Sequence, residues 1–298
     1  MRTGVLILAG PTASGKTDLA IALAQRFDAE IVGADSRQVY RGMDIGTAAP
    51  DARQRAEVPH HLVGFLDAHE RYSAARFAAD ATQAIEEIQA RGKRALVVGG
   101  TGFYIRALTG AVDLAAAYDE QLRGRLAREA RIHDAAFLHE WLALRDPRRA
   151  AALAPGDTYR ILRALEVALA SEDATHRTEP LKTIAALGVP VLKVFLDVDM
   201  DDLQARIERR TDAMLSGGLI EEAERIGTGA VAADAVGYPQ ALAYLGGRCT
   251  KQELRTLLVR ATRRYAKRQQ AWFRGEPGVV HLRASGVERA AREKLAWV

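Results

Sequence analysis

The sequence predicts an α/β fold, in which a mostly parallel sheet is flanked by helices and carries a helical insertion domain. Three observations lead to this fold class. Short apolar runs typical of buried strands alternate with stretches of helical periodicity. The first apolar run ends on a glycine-rich turn that opens a helix. The long stretch between the third and fourth runs is rich in Ala, Leu, Arg and Glu and contains no clear strand. Strands that alternate with helices build a parallel sheet that is covered on both faces.

The expected strands are the short apolar runs of the chain. They lie at 5–9, 30–33, 94–100, 189–196 and 279–282. A first helix is expected at about 16–26. A longer one is expected at 72–91, because the apolar residues there recur at helical spacing.

The carboxyl ends of the strands are where a sheet of this kind binds its ligands. Three of the expected strand ends carry polar or glycine-rich segments, at 10–17, 35–38 and 99–102. We therefore expect these segments to meet in one site.

The stretch between the third and fourth strands predicts a separate domain. A crossover between two parallel strands needs only a dozen or more residues, far fewer than this stretch contains. We expect residues 112–156 to form a helical insertion, and residues 1–111 and 157–298 to form the core.

Composition and charge narrow the class of protein. Hydrophobic residues make up 48% of the chain and charged residues 27%, which is typical of a globular protein with a sizeable core. The net charge of +4 permits an anionic partner without requiring one. The single cysteine, Cys249, excludes an intrachain disulfide framework. The first apolar run is too short for a signal peptide, and no run of about 18 apolar residues occurs. We expect a cytoplasmic protein with no membrane segment.

The glycine-rich turn after the first strand is a phosphate-binding loop. Gly10-Pro-Thr-Ala-Ser-Gly-Lys-Thr17 matches the pattern G-x-x-x-x-G-K-[ST] between a strand and a helix. Its backbone N–H groups and the helix N-terminus bind an anion. Gly15 permits close approach of the backbone, Lys16 adds a charge, and Thr17 can ligate a Mg²⁺ ion held by the phosphates. The motif predicts a P-loop-type sheet that binds a di- or triphosphate, but it does not specify the reaction.

An acidic residue is missing where nucleotide hydrolases need one. Such enzymes place an Mg²⁺-holding Asp at the end of a later strand, whereas the corresponding stretch here, "ALVVGGTG", contains no acid. The carboxylate at the switch point of the sheet is instead Asp35, beyond the second strand. Asp35 could accept a proton from a nucleophile held near the phosphates, or it could cap the turn that follows. The spacing leaves both interpretations open.

A strongly basic helix is predicted near the C-terminus. Residues 251–274 hold eight Lys or Arg and one acid, Glu253. The apolar residues lie on one face, and the basic residues that include Arg263 and Lys267 lie on the opposite one. A basic face is often only a solvated surface, but this segregated, nearly unpaired one favours contact with RNA phosphates.

Several long and unusual stretches occur together and in order. They are "GPTASGKTDLA" (10–20), "ADSRQVYRGMDIGTAAP" (34–50), "VVGGTGFYIRAL" (97–108), "RIERRTDAMLSGGLIEEAE" (206–224) and "ATRRYAKRQQAWFR" (261–274). Over nearly its whole length, the chain resembles the tRNA dimethylallyltransferases, the isopentenyl transferases of tRNA.

This resemblance implies a reaction. The family transfers a dimethylallyl group from dimethylallyl diphosphate to the exocyclic amine of an adenosine beside the anticodon, and diphosphate leaves. The phosphate loop would then hold the diphosphate of the prenyl donor rather than ATP, and the insertion would contact the anticodon stem-loop. The implied cofactor is Mg²⁺, with Thr17 as a metal ligand. We expect a monomer.

The resemblance also implies site residues. The catalytic residues would be Asp35 as general base, Thr17 and Lys16. The diphosphate would be bound by Gly10, Thr12, Ala13, Ser14, Gly15, Lys16, Thr17 and Arg210. The tRNA would be bound by Asp35, Ser36, Arg37, Gln38, Thr101, Arg123, Tyr159, Arg160 and Arg163, to which the basic helix adds Arg263 and Lys267.

Three other functions remain open from the residues. They are prenyl transfer to a free adenine nucleotide, a small-molecule or nucleoside kinase, and an RNA-binding protein that uses the loop as a nucleotide switch. The helical insertion and the basic helix argue against a small acceptor. The missing acid argues against a kinase, and Asp35 beside the loop argues against a simple switch. Where the family often has Thr-Gly-Lys, this chain has Ser171-Glu172-Asp173, which leaves that tRNA-facing loop undefined.

Overall fold

A computed structural model describes residues 3–112, 120–170 and 183–298. The chain divides into two compact units. The first comprises Met1–Val112 and Lys182–Val298, and the second comprises Asp113–Leu181. The departure at Ser171-Glu172-Asp173 lies outside the described residues.

A parallel sheet forms the centre of the first unit. Within the described residues, six strands lie in the order β3-β2-β4-β1-β5-β6, and every pairing is parallel. Their bounds are β1 Val5–Ala9, β2 Ala29–Gly33, β3 His60–His61, β4 Arg94–Gly99, β5 Val191–Leu196 and β6 Val279–Leu282. The predicted fold class is confirmed. Only β3 was not predicted, because two residues that pair with Ile31 and Val32 are too few to show an alternating pattern.

Helices cover both faces of this sheet. In the first unit they are α1 Lys16–Arg26, α2 Asp44–Thr47, α3 Ala52–Glu57, α4 Ala74–Ala90, α5 Gly102–Leu108, α10 Met200–Ser216, α11 Leu219–Ile226, α12 Tyr238–Leu245, α13 Lys251–Arg274 and α14 Ala284–Leu295, with a 3-10 helix at Val231–Asp234. In the second unit they are α6 Glu120–Ile132, α7 Ala135–Arg145, α8 Pro147–Ala151 and α9 Thr158–Ala170. Among the described residues, no helix combines the length and the apolar character needed to cross a membrane.

The core of the first unit follows from the alternation of side chains along a strand. In β1, Val5 and Ile7 pack on one face with residues of α4, α5 and α13. Leu6 and Leu8 pack on the other face with residues of α1 and α14. All four side chains are fully buried. Because β1 is apolar on both faces, it lies at the centre of the sheet, and the loop that follows it lies in the middle of the sheet edge.

The second unit has a small core of its own. Leu138 and Leu142 of α7 are fully buried together with Ile161 and Leu165 of α9. The expected boundary at residue 156 therefore differs from the structure, which assigns α9 to the second unit. The sequence did not show this difference, because an amphipathic helix can bury its apolar face against either unit.

Candidate active site

Three strand ends meet at one edge of the sheet, because β2, β4 and β1 are neighbours. The Ala34 N–H donates to the carbonyl of Val98 at 2.8 Å, and the Thr101 N–H donates to the carbonyl of Ala34 at 3.2 Å. A side chain at Gly99 would collide with the backbone of Ala34, so a glycine is required where the two chains approach. The segments that follow β1, β2 and β4 are therefore adjacent, as their sequence predicts.

The phosphate loop adopts the backbone shape of an anion-binding nest. Ala13 and Gly15 have positive φ angles, of 64° and 83°, and a left-handed residue next to right-handed ones turns successive N–H groups towards one point. The Ser14 hydroxyl is buried and has no hydrogen-bond partner among the described residues. The N–H of Thr12 is already engaged, because it donates to Gln269 Oε1 at 2.8 Å. The loop thus combines a concave row of N–H groups with an unpaired hydroxyl.

A pocket beside the loop brings Lys16 and Arg210 together with the carboxylate of Asp35. Lys16, Thr17, Asp35 and Arg210 all line it. Desolvation in the pocket lowers the pKa of Lys16 to about 8, while Asp35 raises this pKa and Arg210 lowers it. Desolvation also lowers the pKa of Arg210, against the effect of Asp35. The pocket is lined by four cationic side chains, Lys16, Arg37, Arg210 and Arg268, and by two carboxylates, Asp35 and Asp234. This excess of positive charge favours the binding of a further anion.

Arg210 is held in place from the turn at α2. Its Nη2 donates to the carbonyl of Thr47 at 3.2 Å. Its Nε is buried and has no hydrogen-bond partner among the described residues. A buried, unpaired guanidinium N–H is costly, and a bound anion in this pocket would satisfy it.

Asp35 has a structural contact as well as a place in the pocket. Its Oδ1 accepts a hydrogen bond from the N–H of Arg37 at 2.9 Å, which is the capping arrangement that the sequence left open. The Ser36 N–H donates to Thr101 Oγ1 at 3.0 Å, so Thr101 fixes the same turn. The carboxylate that caps the turn also lines the pocket with Lys16 and Arg210. The two interpretations of Asp35 are therefore compatible.

The two residues that follow Ser36 are engaged within the protein. Arg37 and Asp234 form an ion pair through two contacts of 2.9 Å. The Gln38 amide donates to the carbonyls of Thr47 and Ala48, both at 3.1 Å. Both side chains still line the pocket.

Helix α13 contributes one side to the pocket and another to the surface. Tyr265, Arg268 and Gln269 line the pocket, whereas Arg263 and Lys267 are exposed. Burial, together with Asp35, raises the pKa of the Tyr265 hydroxyl. The sequence patterns do not single out Tyr265, Arg268 and Gln269 as site residues. Gln269 is the one of the three that the sequence could indicate, because a polar glutamine stands there on the apolar face of the helix.

A second concave region lies on the outer side of the loop. It is lined by loop residues, by Ala48 and Ala49, and by Arg206, Arg209 and Arg210 of α10. Arg206 Nη1 donates to the carbonyl of Ser14 at 3.1 Å. Of these arginines, only Arg210 was predicted to bind the diphosphate. The one-turn spacing of Arg206 and Arg210 nevertheless places both on the same helix face.

The remaining predicted tRNA contacts lie in the second unit. Tyr159 is 70% exposed at the start of α9. Arg160 lies 3.5 Å from Asp157. Arg163 and Arg123 lie 2.6 and 3.9 Å from the buried carboxylate of Glu166. Glu166 was not predicted, because a lone acid inside an amphipathic helix carries no signal of its own.

The described part of the chain offers few clustered ligands to a metal ion. Within the described residues, no group of three or more His, Cys, Asp or Glu side chains is arranged to hold one. Mg²⁺ commonly binds through one or two protein oxygens together with substrate phosphates and waters. Thr17, the second residue of α1, lies in the pocket and fits that mode of binding.

Comparison with known proteins shows which family matches this sequence. Residues 38–276 match the family model of the IPP transferases, and residues 3–63 match that of the isopentenyl transferases. The tRNA dimethylallyltransferase of Geobacter sulfurreducens is 42% identical over 93% of this chain and 91% of its own length. That of Anaeromyxobacter dehalogenans is 45% identical over 93% of this chain and 94% of its own length.

Solved structures are similar over nearly the whole chain. The tRNA isopentenylpyrophosphate transferase of Bacillus halodurans is 35% identical, with a TM-score of 0.71, over 99% of this chain and 97% of its own. A eukaryotic dimethylallyltransferase solved while acting on tRNA is 25% identical, with a TM-score of 0.75, over 97% of this chain and 76% of its own. Since the family model spans most of the sequence and the relatives match it almost from end to end, the chain belongs to the IPP transferase family, that of the tRNA dimethylallyltransferases.

Proposed function

We propose that this protein transfers a dimethylallyl group from dimethylallyl diphosphate to the exocyclic N6 amine of the adenosine next to the anticodon in tRNA. Diphosphate is the other product. The observation that carries this proposal is the pocket in which Lys16 and Thr17 of the phosphate loop lie together with Arg210 and the carboxylate of Asp35. It supplies an anion site and a base side by side, in a chain whose relatives are named tRNA dimethylallyltransferases.

The loop binds the leaving group in this proposal. As the bond between the allylic carbon and oxygen breaks, negative charge grows on the diphosphate. The N–H groups of Gly15, Lys16 and Thr17, the unpaired hydroxyl of Ser14 and the charges of Lys16 and Arg210 lie around the concave region at the loop and stabilise that charge. These groups are in place before the reaction, so little reorganisation is needed.

Mg²⁺ is part of the proposal, with the hydroxyl of Thr17 as its protein ligand. When bound, the ion neutralises charge on the diphosphate. Lys16 and Arg210 lie beside Thr17 in the pocket and bind the same diphosphate.

Asp35 acts as the general base. The adenine amine is a weak nucleophile, because its lone pair is delocalised into the ring. When the nitrogen attacks the allylic carbon, the new C–N bond forms and the amine proton passes to the Asp35 carboxylate. The adenine must be turned out of its stack to reach the pocket.

The tRNA contacts form three groups in this proposal. Ser36, Arg37, Gln38 and Thr101 lie beside the pocket, at the ends of β2 and β4. Arg123, Tyr159, Arg160 and Arg163 belong to the second unit, which would contact the anticodon stem-loop. Arg263 and Lys267 are exposed on the basic face of α13 and would contact phosphates. A cytoplasmic location and a monomeric state stay predictions.

The experiment that tests this function compares donors and acceptors. The protein is incubated with labelled dimethylallyl diphosphate or labelled ATP, and with tRNA or AMP. Prenyl label entering tRNA is the expected result. Prenyl label entering AMP instead would point to a nucleotide prenyltransferase, and phosphate transfer from ATP would overturn the proposal.

A further inference from the structure

Helix α2, which lines the pocket, contacts a buried carboxylate that the proposed reaction does not use. Glu222 of α11 is only 2% exposed. Its Oε2 accepts a hydrogen bond from the N–H of Ile45 at 2.9 Å. Its Oε1 accepts from the N–H of Gly46 at 2.7 Å and from the Tyr238 hydroxyl at 2.7 Å. Burying a carboxylate is costly unless such donors satisfy it, so the three donors and the carboxylate fix one another.

The side chain of Tyr238 packs directly against α2. A Cβ atom at Gly46 would lie 2.7 Å from the Tyr238 ring, so the ring rests directly on the α2 backbone. Tyr238 is itself fully buried. Burial and the bond to Glu222 raise the pKa of the Tyr238 hydroxyl, which therefore remains a donor. The amino end of α2 is held by a side chain that is distant in the sequence.

The other end of α2 holds two residues of the pocket. The carbonyl of Thr47 accepts from Arg210 Nη2 at 3.2 Å and from Gln38 Nε2 at 3.1 Å. The carbonyl of Ala48 accepts from Gln38 Nε2 at 3.1 Å. Arg210 Nε has no partner among the described residues, so the bond to Thr47 carries much of the orientation of this guanidinium.

We propose that Glu222 and Tyr238 are positioning residues of the active site, which fix the turn at residues 44–48 so that its carbonyls orient Arg210 and Gln38. This proposal rests on the proposed function, in which Arg210 binds the diphosphate. Glu222 itself does not touch the substrate; it acts through α2.

Glu222→Gln tests the proposal with little change in volume. One carboxylate oxygen becomes an amide N–H₂, which faces a donor in either orientation. We expect the affinity for inorganic pyrophosphate, measured by calorimetry in the presence of Mg²⁺, to fall about tenfold, because a charged hydrogen-bond network is broken. The KM for dimethylallyl diphosphate should rise by a similar factor. Tyr238→Phe removes one donor only and should show a smaller shift in the same direction.

Glu30→Gln is the matched control. Glu30 is also a buried carboxylate of the first unit, with Arg91 and His61 at 2.6 and 2.7 Å, and neither of these partners belongs to α2. It should lower the thermal midpoint and leave pyrophosphate affinity unchanged at temperatures where the protein is folded. If Glu222→Gln behaves in the same way, the positioning role is wrong.

Two further outcomes are decisive. If Glu222→Gln fails to fold, Tyr238→Phe decides, and wild-type pyrophosphate affinity in that variant overturns the proposal. If the wild-type protein binds pyrophosphate but transfers no prenyl group, the proposed function fails. The affinity ratio between variant and wild type still tests the positioning of Arg210 in that case.

Discussion

The side-chain oxygen of Gln269 accepts a hydrogen bond from the backbone N–H of Thr12 at 2.8 Å, although the two residues are 257 positions apart. The Gln269 amide also donates to the carbonyl of Gly100 at 3.1 Å. One buried glutamine of α13 therefore joins the phosphate loop after β1 to the turn after β4. It connects the basic helix to the part of the pocket that would hold the diphosphate.

Gln269→Leu should loosen the phosphate loop. The buried carbonyl of Gly100 and the half-buried N–H of Thr12 lose their partners, which costs about 2 kcal/mol of stability. The KM for dimethylallyl diphosphate should rise with this loss. Denaturant unfolding and steady-state kinetics measure the two effects. The control is Gln270→Leu, at the next, half-buried position. Equal stability and equal KM in the two variants would contradict a role for Gln269.

Asp35→Asn separates the structural role of Asp35 from its proposed role as general base. Asparagine keeps an oxygen that can accept from the N–H of Arg37, so the turn should survive. The variant cannot take the proton from the adenine amine, so turnover should fall by about 10²–10⁴. Single-turnover rates and filter binding of tRNA check this. Wild-type turnover would show that Asp35 only caps the turn.

Lys16 predicts a pH dependence of diphosphate binding. Its pKa is lowered to about 8, so its charge is present below pH 8 and is lost as the pH rises above it. Pyrophosphate affinity of the wild type should exceed that of Lys16→Met by about tenfold at pH 7, and the gap should narrow above about pH 8. Comparing the two proteins cancels the titration of pyrophosphate. A constant ratio across this range would contradict the prediction.

The same lowered pKa has the opposite effect on stability. Between pH 8 and the ordinary value of 10.5, the unfolded chain binds the Lys16 proton more strongly than the folded one. Stability of the ligand-free protein should therefore gain a rising contribution from Lys16 over this window. Urea unfolding of the wild type and of Lys16→Met at matched pH values measures the difference.

The exposed basic face of α13 predicts salt-dependent binding of tRNA. Arg263→Ala and Lys267→Ala should each weaken tRNA binding and reduce the slope of log affinity against log salt by about 0.7–0.9. Arg289→Ala is the control. It removes an exposed arginine from α14, which packs on the other face of the sheet. An unchanged slope in the α13 variants would identify this face as a solvated surface.

Glu166 permits a double-mutant test of Arg163. Arg163→Ala removes the partner at 2.6 Å from a carboxylate that is 3% exposed, which should cost about 2 kcal/mol. The double variant Arg163→Ala with Glu166→Gln should recover most of the stability, but tRNA affinity should stay low. Recovery of tRNA affinity together with stability would mean that Arg163 has only a structural role.

Much of the fold could be predicted from local patterns. The run Val5–Ala9 is apolar at every position, as a strand buried on both faces must be, and it lies at the centre of the sheet. The phosphate loop is recognisable because Gly10 directly follows a strand and Gly15, Lys16 and Thr17 follow at a fixed spacing where the helix opens. The two-residue strand β3 was not predictable, because it exists only through its pairing with β2.

Residues of the candidate site could be predicted only where they belong to a recognisable stretch of sequence. Asp35 and Arg210 could be predicted because they lie in the long stretches 34–50 and 206–224, which resemble the family. Gln269, Glu222 and Asp234 could not, since each acts on a segment far away in the chain. Their partners are a loop N–H group, the α2 turn and Arg37. No local pattern encodes such pairs.

The sequence by itself determined the fold class, the phosphate loop, the carboxylate beyond the second strand and the family. These depend on periodicity and on residue types at short spacing, which one segment specifies alone. Only the tertiary structure decided which unit contains α9, which side of α13 enters the pocket, and how α2 holds Arg210. Those outcomes depend on the burial of one segment against another, where shape and unpaired polar groups decide between faces that are equally apolar in the sequence.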